Sequence, residues 1–292
     1  MRTFLLKLAV RCWALLPLRV AHGQGALLAR LLIWLPNKPK KICQTNIARC
    51  YPQLSAAQQK SLVKNILIET GKTVTEIGAL WLWPQQKLLK LVKSVSGEEA
   101  LRAAMEQKRG VIVASPHIGA WEMAGLYWSS RYPFTALYRP PRMTELGEFV
   151  RSARERYGSR LVPTNATGVK ALFQGIKNNE MIGILPDQDP GDDGGVFAPF
   201  FNIPVNTMTL LPRLARKTHA AVFFTFAERL PKGRGYHIHV LPAAETIASD
   251  DLVTAARAVN EGVEQCIQLC PAQYQWIYKR FKRRPPGQKG FY

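Results

Sequence analysis

The sequence predicts a single α/β domain, with a mostly parallel central sheet flanked by helices, preceded by an N-terminal membrane-associated helical segment. Three observations carry that expectation. Short β-branched runs alternate with longer helical patterns, the order that produces parallel strands joined by crossover helices. No internal repeat or low-complexity linker divides the 292 residues, a length that one large domain can absorb. Residues 1–36 are leucine-rich yet punctuated by Lys7, Arg11, Arg19 and Arg30, unlike the chain that follows. The boundary is drawn there, with 1–36 as the anchoring segment and 37–292 as the α/β domain.

Taken in order, Phe4–Pro36 contains no apolar run of the roughly 18 residues that a spanning helix needs. It is equally unlike a secretory signal, since charges interrupt the would-be apolar centre. It suits a helix lying in a membrane surface, broken near Pro17 and Gly23–Gly25. The alternative is a helix pair packed into the globular domain. Ser55 and Gln58 form a capping box for a helix reaching about Trp83, with Leu62, Ile66, Val74, Ile77 and Trp81 along its apolar side. Glu98–Lys108 is a shorter helix. Val111–Ala114, Phe134–Tyr138 and Met181–Leu185 read as strands, separated by helices over Met143–Tyr157 and Val169–Ile176. Val196–Phe201 is an apolar segment that either borders a lipid pocket or belongs to the core. A helix at Leu210–Lys217, strands at Ala221–Phe226 and Tyr236–Leu241, and a helix over Asp250–Cys270 complete the pattern.

Charge narrows the function classes. Forty Lys and Arg against twenty Asp and Glu leave a net charge of +20, a field that draws nucleic acid, anionic lipid or an acidic protein. No acidic residue precedes Glu69, while eleven basic ones do. Those basic residues alternate with aliphatics instead of forming a solvated face, which favours an anionic membrane over nucleic acid. Five cysteines at 12, 43, 50, 266 and 270 form no zinc set and point to a reducing compartment. His237 and His239 share a strand face without an evident third ligand, so no metal is expected. The acidic loop Asp187–Asp193 does not have the offsets of a calcium loop.

The chemistry centres on Gly110–Trp128. A buried strand is followed by Pro116, His117, Ile118 and Gly119, then by a helix carrying Glu122. On one continuous helix, residues five apart point roughly 140° away from each other. His117 and Glu122 converge only if His117 sits in the turn before the helix. A carboxylate holding one ring nitrogen would leave the other as a general base. The alternative is a structural histidine with a solvent-facing glutamate. Arg154 lies at the edge of an apolar helix face, where an arginine either meets an anion or snorkels to solvent.

Together these motifs resemble the lipid A biosynthesis acyltransferases, the lauroyl and myristoyl transferases of the His-x4-Asp/Glu glycerolipid acyltransferase superfamily. The resemblance rests on Asn46–Pro52, His117-x4-Glu122, Tyr138-Arg139-Pro140, the Arg154 helix, Asp187-Gln188-Asp189 with Val196–Phe201, and Pro271–Trp276 leading to Arg280-Phe281-Lys282. It departs from the family pattern in its interrupted N-terminal apolar run and in the acidity of Asp192–Asp193. The resemblance implies transfer of a fatty acyl chain from acyl carrier protein to a hydroxyl of a lipid A precursor, at the cytoplasmic face of the inner membrane. It implies no metal or cofactor. His117 and Glu122 would be catalytic, while Tyr138, Arg139, Arg154, Asp187 and Asp189 would contact substrate. Anionic inner-membrane lipids and acyl carrier protein would be the partners, with no nucleic acid. The remaining alternatives are the same chemistry on another glycolipid or phospholipid, a basic nucleic-acid-binding protein, and a non-catalytic membrane protein.

Overall fold

The structure is a computed structural model that describes residues 2–141 and 143–292. Helices α1 (Arg2–Ala14), α2 (Leu18–Ile33) and α3 (Lys38–Cys50) lead to the long α4 (Ala56–Leu82), which starts at the expected Ser55–Gln58 capping box. A short α5 (Gln85–Leu89) precedes β1 (Val92–Ser96), α6 (Glu98–Glu106) and β2 (Val111–Ala114). Then come α7 (Trp121–Ser129), β3 (Phe134–Tyr138), α8 (Thr144–Glu155), β4 (Ser159–Pro163), α9 (Ala166–Lys177) and β5 (Met181–Ile184). A hairpin of β6 (Gly195–Phe200) and β7 (Ile203–Met208) follows, then α10 (Leu210–Thr218), β8 (Ala221–Arg229), β9 (Tyr236–Pro242) and α11 (Leu252–Leu269).

Seven strands form one sheet in the order β1-β9-β8-β2-β5-β3-β4. Only the β8–β9 pair is antiparallel, so the expected mostly parallel sheet is present. Two-residue periodicity divides the strand side chains between two cores. Ile112, Ala114, Ile182, Phe224 and Phe226 enter one; Val111, Val113, Met181 and Phe223 enter the other. Helices therefore cover both faces. The segment Val196–Phe201 proves to be mostly β6, and buried Phe200 packs on Tyr274 and Phe281 in the first core.

The N-terminal helices dock on α4. The chain breaks at Leu15–Pro17 as expected, but α2 runs unbroken through Gly23–Gly25. A Cβ at Gly25 would lie 2.3 Å from the Gly71 carbonyl oxygen, so the glycine is a helix–helix contact point, not a hinge. Gly78, seven residues on, admits α1 in the same way. Leu5 on α1, Leu27 and Leu31 on α2, and Leu15 and Trp34 directly after these helices are exposed. No helix among the described residues is long and apolar enough to cross a membrane.

Candidate active site

Sheet register builds the centre. Ala114 at the end of β2 is paired with Ile184 at the end of β5. Three residues beyond each lie His117 and Asp187, each directly after a proline. Two parallel strands with equal offsets thus bring the side chains together, at the carboxyl edge where open α/β sheets bind ligands. His117 Nδ1 is 2.8 Å from Asp187 Oδ1, and the His117 backbone N–H donates to Asp187 Oδ2 at 2.9 Å. Burial pushes the Asp187 pKa upward, but the imidazole and these hydrogen bonds more than reverse it, holding the carboxyl below its ordinary value. An ionised carboxylate only accepts, so Nδ1 carries the proton and the lone pair of a neutral ring lies on Nε2. Gln188 Nε2 approaches that atom at 3.4 Å.

The orienting carboxylate is therefore Asp187, and Glu122 is engaged elsewhere. Arg154 grips Glu122 through Nε at 2.9 Å and through a second, shorter contact from Nη2. The reason lies in the turn. Gly119, at φ 57°, sits where a Cβ would meet the Ala227 carbonyl oxygen at 2.1 Å. The next N–H, that of Ala120, donates to that same oxygen at 2.8 Å. Docking the turn on β8 aims His117 at the β5 loop, while Glu122 joins the first turn of α7 facing α8. Burial works against the Arg154 charge, but the Glu122 carboxylate outweighs it and raises the arginine's pKa above its ordinary value.

Glu122 and Arg154 line a cavity of about 100 Å³ whose other walls are largely apolar, among them Val113, Trp128, Leu137 and Ile184. Ser115 also faces it, with a buried hydroxyl that has no hydrogen-bond partner among the described residues. Trp121, whose ring centroid is 5.2 Å from that of His117, also borders a smaller pocket that contains His117, Thr70, Gln275 and Ile277.

The other expected site residues divide. Tyr138 packs its ring 5.5 Å from the Arg154 guanidinium and donates its hydroxyl to the Gly147 carbonyl at 3.0 Å. Arg139 is exposed. Asp189 is turned into its own loop, where Oδ1 accepts from Arg283 at 2.6 Å, Gly191 N–H at 2.9 Å and Asn206 at 3.2 Å. Its contacts anchor the C-terminal tail. Among the described residues no three His, Cys, Asp or Glu side chains cluster to hold a metal. His239 pairs with Glu228 at 2.8 Å and His237 with Ser96 at 3.0 Å.

The chain matches the family described as bacterial lipid A biosynthesis acyltransferase over residues 1–283. It belongs to that family. It is 29% identical to the lipid A biosynthesis lauroyltransferase of Escherichia coli K12, covering 93% of this chain and 88% of the relative. The palmitoleoyltransferase of the same organism is 30% identical over 96% of this chain and 90% of its own. A phosphatidylinositol mannoside acyltransferase of Mycobacterium tuberculosis is 26% identical over 80% of this chain and 75% of its own. The protein is accordingly an acyltransferase.

Within this acyltransferase, two motifs distant in sequence prove to be partners. Asn46 on α3 donates to the carbonyls of Trp276 and Tyr278 at 2.7 and 2.9 Å. The strap so held donates from the Gln275 N–H to the His117 carbonyl and accepts the Gly119 N–H on the Gln273 carbonyl, each at 3.0 Å. Asn46 and Gln273 thus fix the His117 turn from behind. A sequence signal for the Asp187 role was available, because Ala114-Ser-Pro-His117 and Ile184-Leu-Pro-Asp187 share one layout. All five cysteines are free thiols, and burial pushes Cys43 up to about 12.

Proposed function

We propose that this acyltransferase moves a fatty acyl chain from the thioester of an acyl carrier protein to a hydroxyl of a lipid A precursor, on the cytoplasmic face of the inner membrane. The observation that carries the reading is the His117–Asp187 pair at the strand edge, with Nδ1 held by the carboxylate and Nε2 left to serve as the base. His117 Nε2 takes the proton as the acceptor oxygen attacks the thioester carbonyl carbon. The new C–O bond forms, the C–S bond breaks, and the proton passes to the departing thiolate. Asp187 orients the ring and stabilises the imidazolium. The acyl chain occupies the cavity beyond Trp121, with Arg154 and Glu122 at its wall. A thioester is already activated, so direct transfer in a ternary complex needs no serine or cysteine nucleophile and no cofactor. The net charge of +20 suits both an acidic carrier protein and an anionic membrane. The mannoside acyltransferase relative supports a second acceptor class, another phosphorylated glycolipid.

The test is transfer by purified enzyme from acyl carrier protein to lipid A precursor, read by mass spectrometry. His117→Ala should lose the factor of about 10²–10⁴ that a positioned base supplies, and Asp187→Asn a large part of it. Near wild-type turnover in His117→Ala excludes this mechanism.

A further inference from the structure

An apolar groove lies between α2 and α4, with a volume of about 340 Å³, in the size range of roughly 300–1,000 Å³ typical of ligand sites. Its walls include Leu28, Leu32, Leu67 and Val74. Val74 stands on the apolar side of α4 by sequence pattern, yet it is 48% exposed. It is patterned as core yet only about half covered by the described residues. At its inner end the groove reaches Thr70 and Ile277, and both also line the pocket that holds His117. Trp121 borders both that pocket and the cavity lined by Glu122 and Arg154, so the two share it as a wall.

We propose that this groove holds the acyl chains of the lipid acceptor, which enter from the bilayer between α2 and α4 while the acceptor hydroxyl reaches His117 past Thr70 and Ile277. The proposal rests on the transfer reading of the His117 site and adds where the second substrate lies. A transfer between two lipidic reactants needs two separate apolar compartments meeting at the base, and the cavity beyond Trp121 supplies only one. The groove opens among exposed Leu28, Leu31, Leu32 and Trp34, which a bilayer would cover. Its far end includes Asn37 and Pro39, and the adjoining Lys38, Lys40 and Lys41 supply positive charge for a phosphorylated headgroup. Where α2 and α4 touch, Gly25 and Gly71 put no side chain into the channel.

Val74→Trp and, separately, Leu32→Trp in the full-length enzyme test it, because both positions are exposed enough to accept an indole without repacking the core. The KM for the lipid A precursor should rise about tenfold or more, the scale set by excluding one apolar group from contact, while the KM for the acyl carrier protein thioester stays the same. A benzophenone side chain at position 74 should cross-link radiolabelled precursor, with competition by unlabelled precursor and none by excess phosphatidylglycerol. An unchanged acceptor KM in both variants overturns the proposal. So does equal competition by phosphatidylglycerol, which would mark a bulk-lipid contact, or a cross-link to a second copy of the chain. Absence of transfer by the wild-type enzyme would instead count against the reading of His117, and the cross-link would still decide the groove.

Discussion

At Arg154 a planar guanidinium meets the Glu122 carboxylate through two donors, and its side chain is about one-third exposed while that of Glu122 is buried. Removing the arginine leaves a buried carboxylate unpaired beside the cavity. Arg154→Ala should lower stability by about 1–3 kcal/mol, less than for a fully buried pair because solvent reaches one partner. It should also slow transfer. Arg154→Lys, keeping the charge without the fork, should fall between. Arg151, exposed and paired with Glu155 one turn away, is the control. Thermal melts and kinetics check this, and equal effects of Arg151→Ala and Arg154→Ala would remove any special role for Arg154. His117 and Arg154 were legible in the sequence because a proline–glycine turn and an apolar border are local signals. Their pairing with Asp187 and Glu122 is not a local signal. Register across β2 and β5 decides that Asp187, not Glu122, meets the imidazole, and register depends on residues seventy positions apart.

Elements buried on both faces were the legible ones. β2, β3, β5 and β8 show as apolar runs, whereas β1 and β4 stand at the sheet's two edges and carry Lys93, Ser94, Ser96 and Arg160, the polar dress of protected edges. Helix α3 opens with Lys-Pro-Lys-Lys and hides its pattern in charge. A tertiary feature equally invisible to local reading joins α2, α4 and the end of β8. Arg229 donates to Glu76 at 2.6 and 2.9 Å and to Glu69 at 3.0 Å, while His22 and Tyr236 lie 3.0 and 3.1 Å from the same Glu76 carboxylate. Burial opposes ionisation of Glu76, but Arg229 outweighs it and lowers the pKa from 4.5 to about 2. The unfolded chain therefore binds the extra proton between those values. The stabilisation is full above pH 4.5 and is lost as pH falls towards 2. Glu76→Gln leaves the buried Arg229 charge with Glu69 as its remaining carboxylate and should cost about 3 kcal/mol at neutral pH, the low end for a broken buried pair. Denaturant titrations at several pH values should show the gap between variant and wild type narrowing across that acid window. A gap independent of pH would show that Glu76 is not the titrating group.

At the scale of the whole molecule, a positive enzyme carries most of its exposed leucines on α1 and α2, while the same helices cover α4 and supply His22 to the buried network. Docking on the domain and exposing leucines are thus two faces of one helix pair. We expect attachment through the outward face, with Leu5, Leu27, Leu31 and Trp34 entering the interface and basic residues adding about 1 kcal/mol each near anionic lipid. Deleting residues 1–36 is a poor test, since it uncovers Gly71 and Gly78 and removes His22 from Glu76. Replacing Leu5, Leu27, Leu31 and Trp34 together by Ser leaves the docked face intact. Each leucine that inserts contributes on the order of 1.5–3 kcal/mol, so flotation with anionic liposomes should fall sharply in this variant. High salt should weaken the wild type as well, because surface charge is screened within about 8–10 Å at physiological ionic strength. Binding that survives both the four substitutions and high salt would show that the anchor lies elsewhere, with the basic and aromatic stretch Trp276–Arg284 the next surface to substitute.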